Sequence, residues 1–70
     1  MKQTFSVAGM DCEHCVARVD KAVRELSGVQ DVLVSLEEES MVVDFNGEAI
    51  SPQSIIDAVV EAGYEAQALL

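Results

Sequence analysis

Residues 4–26, TFSVAGMDCEHCVARVDKAVREL, change their hydrophobic period once, and that change decides the fold. From Thr4 to Ala8 polar and apolar residues alternate. Phe5 and Val7 point one way and Thr4 and Ser6 the other, the mark of a half-buried strand. Gly9-Met10-Asp11-Cys12 breaks the alternation and reads as a loop. From Glu13 the spacing lengthens. Cys15 or Val16, Val19, Val23 and Leu26 recur at helical intervals, while Arg18, Lys21, Arg24 and Glu25 fall elsewhere. An amphipathic helix of about three turns is therefore expected. Ser27-Gly28 ends it, with Gly28 suited to a left-handed cap.

Outward from this stretch the pattern repeats. Val29–Leu36 alternates again, with Val32, Val34 and Leu36 on one face and Asp31, Leu33 and Ser35 on the other. Glu37-Glu38-Glu39 makes a charged turn, and Ser40–Phe45 returns with Met41, Val43 and Phe45 inward and Asp44 outward, so the two strands form a hairpin. Asn46-Gly47 opens the next loop. Ser51-Pro52 then starts a second helix, since Ser is a good N-cap and Pro is tolerated at the first helical position. Ile55, Ile56, Val59 and Ala62 line its apolar face, and Gly63 closes it. Tyr64–Leu69 reads as a short last strand. The order strand-helix-strand, strand-helix-strand fits a ferredoxin-like βαββαβ sandwich, an α+β fold with a four-stranded antiparallel sheet and two helices on one face. Residues 1–70 read as one domain, expected to be free-standing, with a domain excised from a pump as the other reading.

Bulk composition narrows the function classes. At 70 residues a single, thin core is possible. Half the residues are apolar and none of the apolar runs approaches a membrane span, so a globular chain without membrane insertion is expected. Met1–Ala8 alternates and carries one basic residue, unlike a signal peptide, and the compartment expected is the cytoplasm. Thirteen acids against four bases give a formal charge of −9. That balance argues against nucleic acid and against an anionic membrane surface, since both demand Lys and Arg. A protein partner met electrostatically would present a basic patch.

The two cysteines, Cys12 and Cys15, are the informative residues. In a reducing compartment a structural disulfide is not expected, and so short a loop gains little from cross-linking. A close pair points instead to metal or redox chemistry. Cys12 lies in the loop and Cys15 in the first helical turn, so two sulfurs can converge on one ion. The helix start offers unpaired N–H groups and a positive dipole end, and a lowered Cys15 pKa follows as an expectation. Structural Zn(II) normally takes four protein ligands, whereas soft Cu(I) accepts two or three sulfurs. A surface two-cysteine site therefore suits Cu(I), and leaves the ion open to attack by a partner's thiols.

Gly9-Met10-x-Cys12-x-x-Cys15, followed by an amphipathic helix and by the late Gly63-Tyr64 pair, resembles the heavy-metal-associated domain family over nearly the whole chain. With His14 just before the second cysteine, it looks most like small soluble bacterial copper chaperones. The resemblance implies Cu(I) held by Cys12 and Cys15. It implies as partner a copper-transporting P-type ATPase carrying similar domains, and also a copper-responsive repressor. Asp11 departs from the copper pattern, in which Ser or Thr usually precedes the first cysteine. It resembles the amino-terminal domains of zinc, cadmium and lead pumps, where Asp joins the two cysteines. Zn(II) or Cd(II) binding, with Asp11 as third ligand, is accordingly the alternative.

The neighbouring residues carry competing roles. Met10 reads as a core anchor for the loop rather than as a third soft ligand. His14 reads as a solvent-facing residue able to lend a nitrogen in some states. Asp11 reads as a helix cap, with ligation as its other role. In this fold Tyr64 falls close to the metal loop, where it would shield the site and tune access to the sulfurs, with plain packing as its other role. Arg18, Lys21 and Arg24 read as a solvated helix face, with offsetting of acid charge or partner contact as the other role, and Glu37–Glu39 as a solvated turn, with an electrostatic docking surface as its other role. The protein reads as a carrier, not an enzyme. A thiol–disulfide oxidoreductase built on Cys12-Glu13-His14-Cys15 is the more distant reading, because Pro52, the only proline, sits at a helix start. The expected state is monomeric without metal, with metal bridging two copies as a further option.

Overall fold

The structure, a computed structural model, describes residues 1–69. Its elements are β1 (Lys2–Ala8), α1 (Glu13–Arg24), β2 (Val29–Ser35), β3 (Ser40–Phe45), α2 (Pro52–Glu61) and β4 (Glu65–Ala68). The four strands form one antiparallel sheet in the order β2-β3-β1-β4, the ferredoxin-like arrangement expected from the element order. Phe5 and Val7 of β1, Met41, Val43 and Phe45 of β3, and Val32 of β2 face the helices. They meet Val19 and Val23 of α1 and Ile55 and Val59 of α2 in a single core. The alternation in the strands and the 3.6-residue spacing in the helices thus converge on one layer.

Element ends differ from the sequence reading where tertiary contacts decide them. β1 begins at Lys2 because Lys2 and Gln3 pair with Asp44 and Val43 of β3. α1 stops at Arg24, with Glu25 as its C-cap. Leu26 lies beyond the helix and still packs against the core, and its N–H donates to the Val23 carbonyl at 3.1 Å. Gly28, at φ +98°, turns the chain so closely past Ile50 that a Cβ there would stand 3.0 Å from its Cγ2. That contact marks Ile50 as a core residue which its loop position concealed. Between Val29 and Asp31 the β2–β3 register slips by a bulge, so Val29 and Val32, three residues apart, both reach the core. Ser51 caps α2, its Oγ accepting from the Ser54 N–H at 3.4 Å, and Pro52 follows at the first helical position.

Antiparallel pairing brings three connections to one end of the sheet. Ser6 lies opposite Ser40 and Ala8 opposite Glu65. The Gly9–Cys12 loop, the Leu36–Glu39 turn and the Gly63-Tyr64 corner are therefore neighbours.

Candidate metal centre

The loop after β1 is positioned by what it buries. Met10 is 6% exposed and belongs to the core cluster, as does Tyr64 at 8%. Gly9 adopts φ +96°, a conformation open mainly to glycine, and its Cα lies against the Tyr64 ring: a Cβ there would sit 3.6 Å from Cδ1. Met10 pulls the loop down from one side while Tyr64 backs it from another. Met10 is thus buried in the core, where the resemblance places it.

Cys12 is the N-cap of α1, with extended backbone at φ −160° and ψ 176°. Its carbonyl accepts the N–H of Cys15 at 3.0 Å and of Val16 at 3.3 Å, closing the first turn. No side chain caps this helix. The capping role expected of Asp11 is not found, because Asp11 lies one residue before the cap. The positive helix end thus carries the cysteine pair on its cap and first turn, with no side chain capping it. Both cysteines are free thiols, Cys12 exposed and Cys15 half-buried against the core.

The Cys15 thiol is held below its ordinary value. The leading cause is hydrogen bonding from the Tyr64 side chain, followed by the backbone of Asp11, against which burial works. The backbone and side chain of Cys12 add to the lowering. The expected direction is thus present, with the Tyr64 side chain as its leading cause. Tyr64 answers in the opposite sense: its phenol is raised first by hydrogen bonding with Cys15, then by burial, while Arg18 pulls it down. Arg18 had read as part of a solvated face. Its position three residues after Cys15, one turn along the same side of α1, is the signal that could have tied it to Tyr64 and the site.

Asp11 and His14 are both exposed. Among the described residues, no group of three or more His, Cys, Asp and Glu side chains comes together in a way that could hold a metal ion. What the fold assembles is a pair of sulfurs, one thiol with a depressed pKa, a buried methionine beneath and a tyrosine hydroxyl alongside. Also among the described residues, no helix is long and apolar enough to cross a membrane.

Comparison with known proteins agrees with this architecture. The model of the heavy-metal-associated domain matches residues 4–65. The copper chaperone CopZ of Enterococcus hirae is 46% identical over 69 residues, covering 99% of this chain and 100% of its own. A solved structure of an Enterococcus hirae copper chaperone in its apo form superposes with a TM-score of 0.90 at 45% identity, over 96% of this chain and 98% of the other. A copper-exporting P-type ATPase of Vibrio cholerae is 41% identical over 69 residues, covering 96% of this chain but 7% of the pump. The N-terminal domain of a potential copper-translocating P-type ATPase from Bacillus subtilis, solved in its Cu(I)-loaded state, superposes with a TM-score of 0.91 at 28% identity, over 96% of this chain and 84% of the other.

Proposed function

The chain belongs to the heavy-metal-associated domain family, and on that premise we propose that it is a Cu(I) carrier: it binds one Cu(I) between Cys12 and Cys15 and passes it on by thiol exchange. The observation that carries the proposal is the two-sulfur site itself, half open to solvent and, among the described residues, not part of a group of three or more His, Cys, Asp and Glu side chains. Two thiolates satisfy a soft monovalent ion and underfill a structural zinc site. Cys12, exposed in the loop, is the sulfur an incoming partner reaches first. Cys15, biased toward thiolate by Tyr64, retains the ion while exchange begins. In the exchange a partner thiolate adds to Cu(I) as a bond to one of these sulfurs breaks. The metal keeps its oxidation state and the released sulfur takes up a proton.

The receiving protein fits the same chemistry. The recipient is a related domain within a copper-exporting P-type ATPase, whose likeness to this chain over 69 residues makes the transfer one between similar domains. A copper-responsive repressor is a second recipient, and metal bridging two copies through four sulfurs is a further bound state. The reducing cytoplasm is the compartment in which such thiols stay free. No catalytic step is assigned to the chain.

The test is a titration of the reduced protein with Cu(I) and with Zn(II), each against a chelator of known affinity. One-to-one Cu(I) binding abolished by Cys12→Ser and by Cys15→Ser is expected. Preference for Zn(II) that disappears in Asp11→Ala would replace copper with the zinc reading, and insulin reduction with turnover would replace carriage with redox catalysis.

A further inference from the structure

α1 and α2 leave a groove between them that the cysteine pair does not line. It has a volume of about 370 Å³ and is lined by Ala22, Glu25 and Leu26 from α1 and its C-cap side, and by Ala58, Glu61 and Ala62 from α2 and its C-cap. The three alanines and Leu26 are half-buried, while Glu25 and Glu61 are exposed. The lining is thus small and apolar, with a carboxylate contributed by each helix.

Both carboxylates stand where the fold gains least from them. Glu25 is the C-cap of α1 and Glu61 the last residue of α2, the negative ends of the two helices. Carboxylates at helix C-termini are unfavourable, and cations belong there. α1 does carry Lys21 and Arg24 in its last turn, whereas α2 has no basic residue at all. Among the described residues neither Glu25 nor Glu61 forms an ion pair: Lys21, one turn before Glu25, does not reach it, and Arg24 is taken by Asp20 and Asp31. Two uncompensated carboxylates at two negative helix ends, beside one apolar groove, complement a positive occupant.

We propose that this groove is a docking site for a cationic segment of a partner protein, one that lays small apolar residues on the alanine lining and aims Lys or Arg side chains at Glu25 and Glu61. The proposal does not depend on the identity of the metal.

The probe is a synthetic amphipathic peptide of leucine, alanine and lysine, titrated into the full isotope-labelled chain and followed by amide chemical shifts. Shifts centred on Ala22, Leu26, Ala58 and Ala62 are expected. The double variant Glu25→Gln/Glu61→Gln should weaken binding about fivefold, the scale of two exposed ion pairs. Ala58→Lys, which places the chain's own cation in the groove, should remove the response. A control peptide with glutamate in place of lysine should not bind. Thermal melting separates docking from folding: the double variant should melt at or above the parent, since it removes charges from unfavourable helix ends. Shifts spread equally over the Glu37–Glu39 turn, affinity unchanged in the double variant, or a double variant that melts below the parent would each overturn the proposal.

Discussion

Two connections lie side by side at one end of the sheet and are held in different ways. The Gly9–Cys12 loop is fixed through its side chains: Met10 enters the core and Tyr64 lies against Gly9. The Leu36–Glu39 turn packs Leu36 against the core and is otherwise fixed through its backbone. The Glu39 N–H donates to the Leu36 carbonyl at 3.3 Å, the Val7 N–H donates to the Glu39 carbonyl at 2.8 Å, and Ser35 Oγ accepts from the Glu38 N–H at 3.3 Å. The difference separates a loop that places chemistry from one that joins strands. Anchoring through buried side chains leaves Cys12 exposed at the surface and Cys15 only half-buried against the core. Anchoring through backbone bonds makes the glutamates of the turn interchangeable, except where the backbone itself is strained.

The contrast breaks first at the cysteines. Cys12→Ser or Cys15→Ser should lower Cu(I) affinity by orders of magnitude in a chelator competition, with little change in melting temperature. Triple replacement of Glu37, Glu38 and Glu39 by Gln should leave Cu(I) affinity nearly as it was. A large loss from the triple variant would mean that the two connections do not divide their duties in this way. Next in size is Met10→Ala. Removing a buried methionine costs about 2–4 kcal/mol, which for a domain of this size lowers the melting temperature on the order of 10–20 °C. If Met10 anchors without ligating, Cu(I) affinity of the folded variant should stay close to the parent value, whereas direct ligation predicts a matching loss in a soft-metal titration.

A smaller effect sharpens the electrostatics of the anchored loop. Tyr64→Phe removes the leading cause of the lowered Cys15 pKa. The thiol should then rise toward its ordinary value. At a fixed pH below that value the thiolate fraction falls, so Cys15 should alkylate more slowly and its rate-versus-pH curve should move to higher pH. A curve unmoved by the substitution would return the shift to the helix start and the neighbouring backbone.

Periodicity made the fold legible. The switch from period 2 to period 3.6 at Gly9–Glu13, and its repeat around Ser51-Pro52, yields the six elements in order and the faces of Phe5, Val7, Val19, Val23, Met41, Val43, Phe45, Ile55 and Val59. Features set by distant pairing were hidden. The first two residues of β1 are strand because β3 continues beside them, the bulge after Val29 appears only in register, and Ile50 is buried because Gly28 leaves room for it. At the site, the spacing of Cys12 and Cys15 was readable because it is local. The cap was misplaced by one residue, since Asp11 favours capping by type while the chain turns helical after Cys12. Tyr64 was placed near the loop by resemblance. That its side chain is the leading cause of the lowered Cys15 pKa is a matter of packing between elements separated by most of the chain.

The smallest expected effect probes the one point where the backbone-held turn is strained. Glu39 has φ +50°, and among the described residues it is the only non-glycine with positive φ. An L-residue there sacrifices roughly 1–2 kcal/mol relative to right-handed backbone. Glycine relieves that strain and in return adds about 0.5–1 kcal/mol of unfolded-chain freedom. The difference leaves Glu39→Gly more stable by about 0.5 kcal/mol, a rise of roughly 2–4 °C in melting temperature. Glu38→Gly, next to it but without positive φ, gains no relief and bears only the entropic cost, so it should melt lower than the parent. Opposite signs at adjacent glutamates of the same charge would assign the effect to backbone conformation. Equal shifts would assign it to the loss of a negative charge from an acidic turn, and the turn would then owe its stability to electrostatics as well as to its backbone bonds.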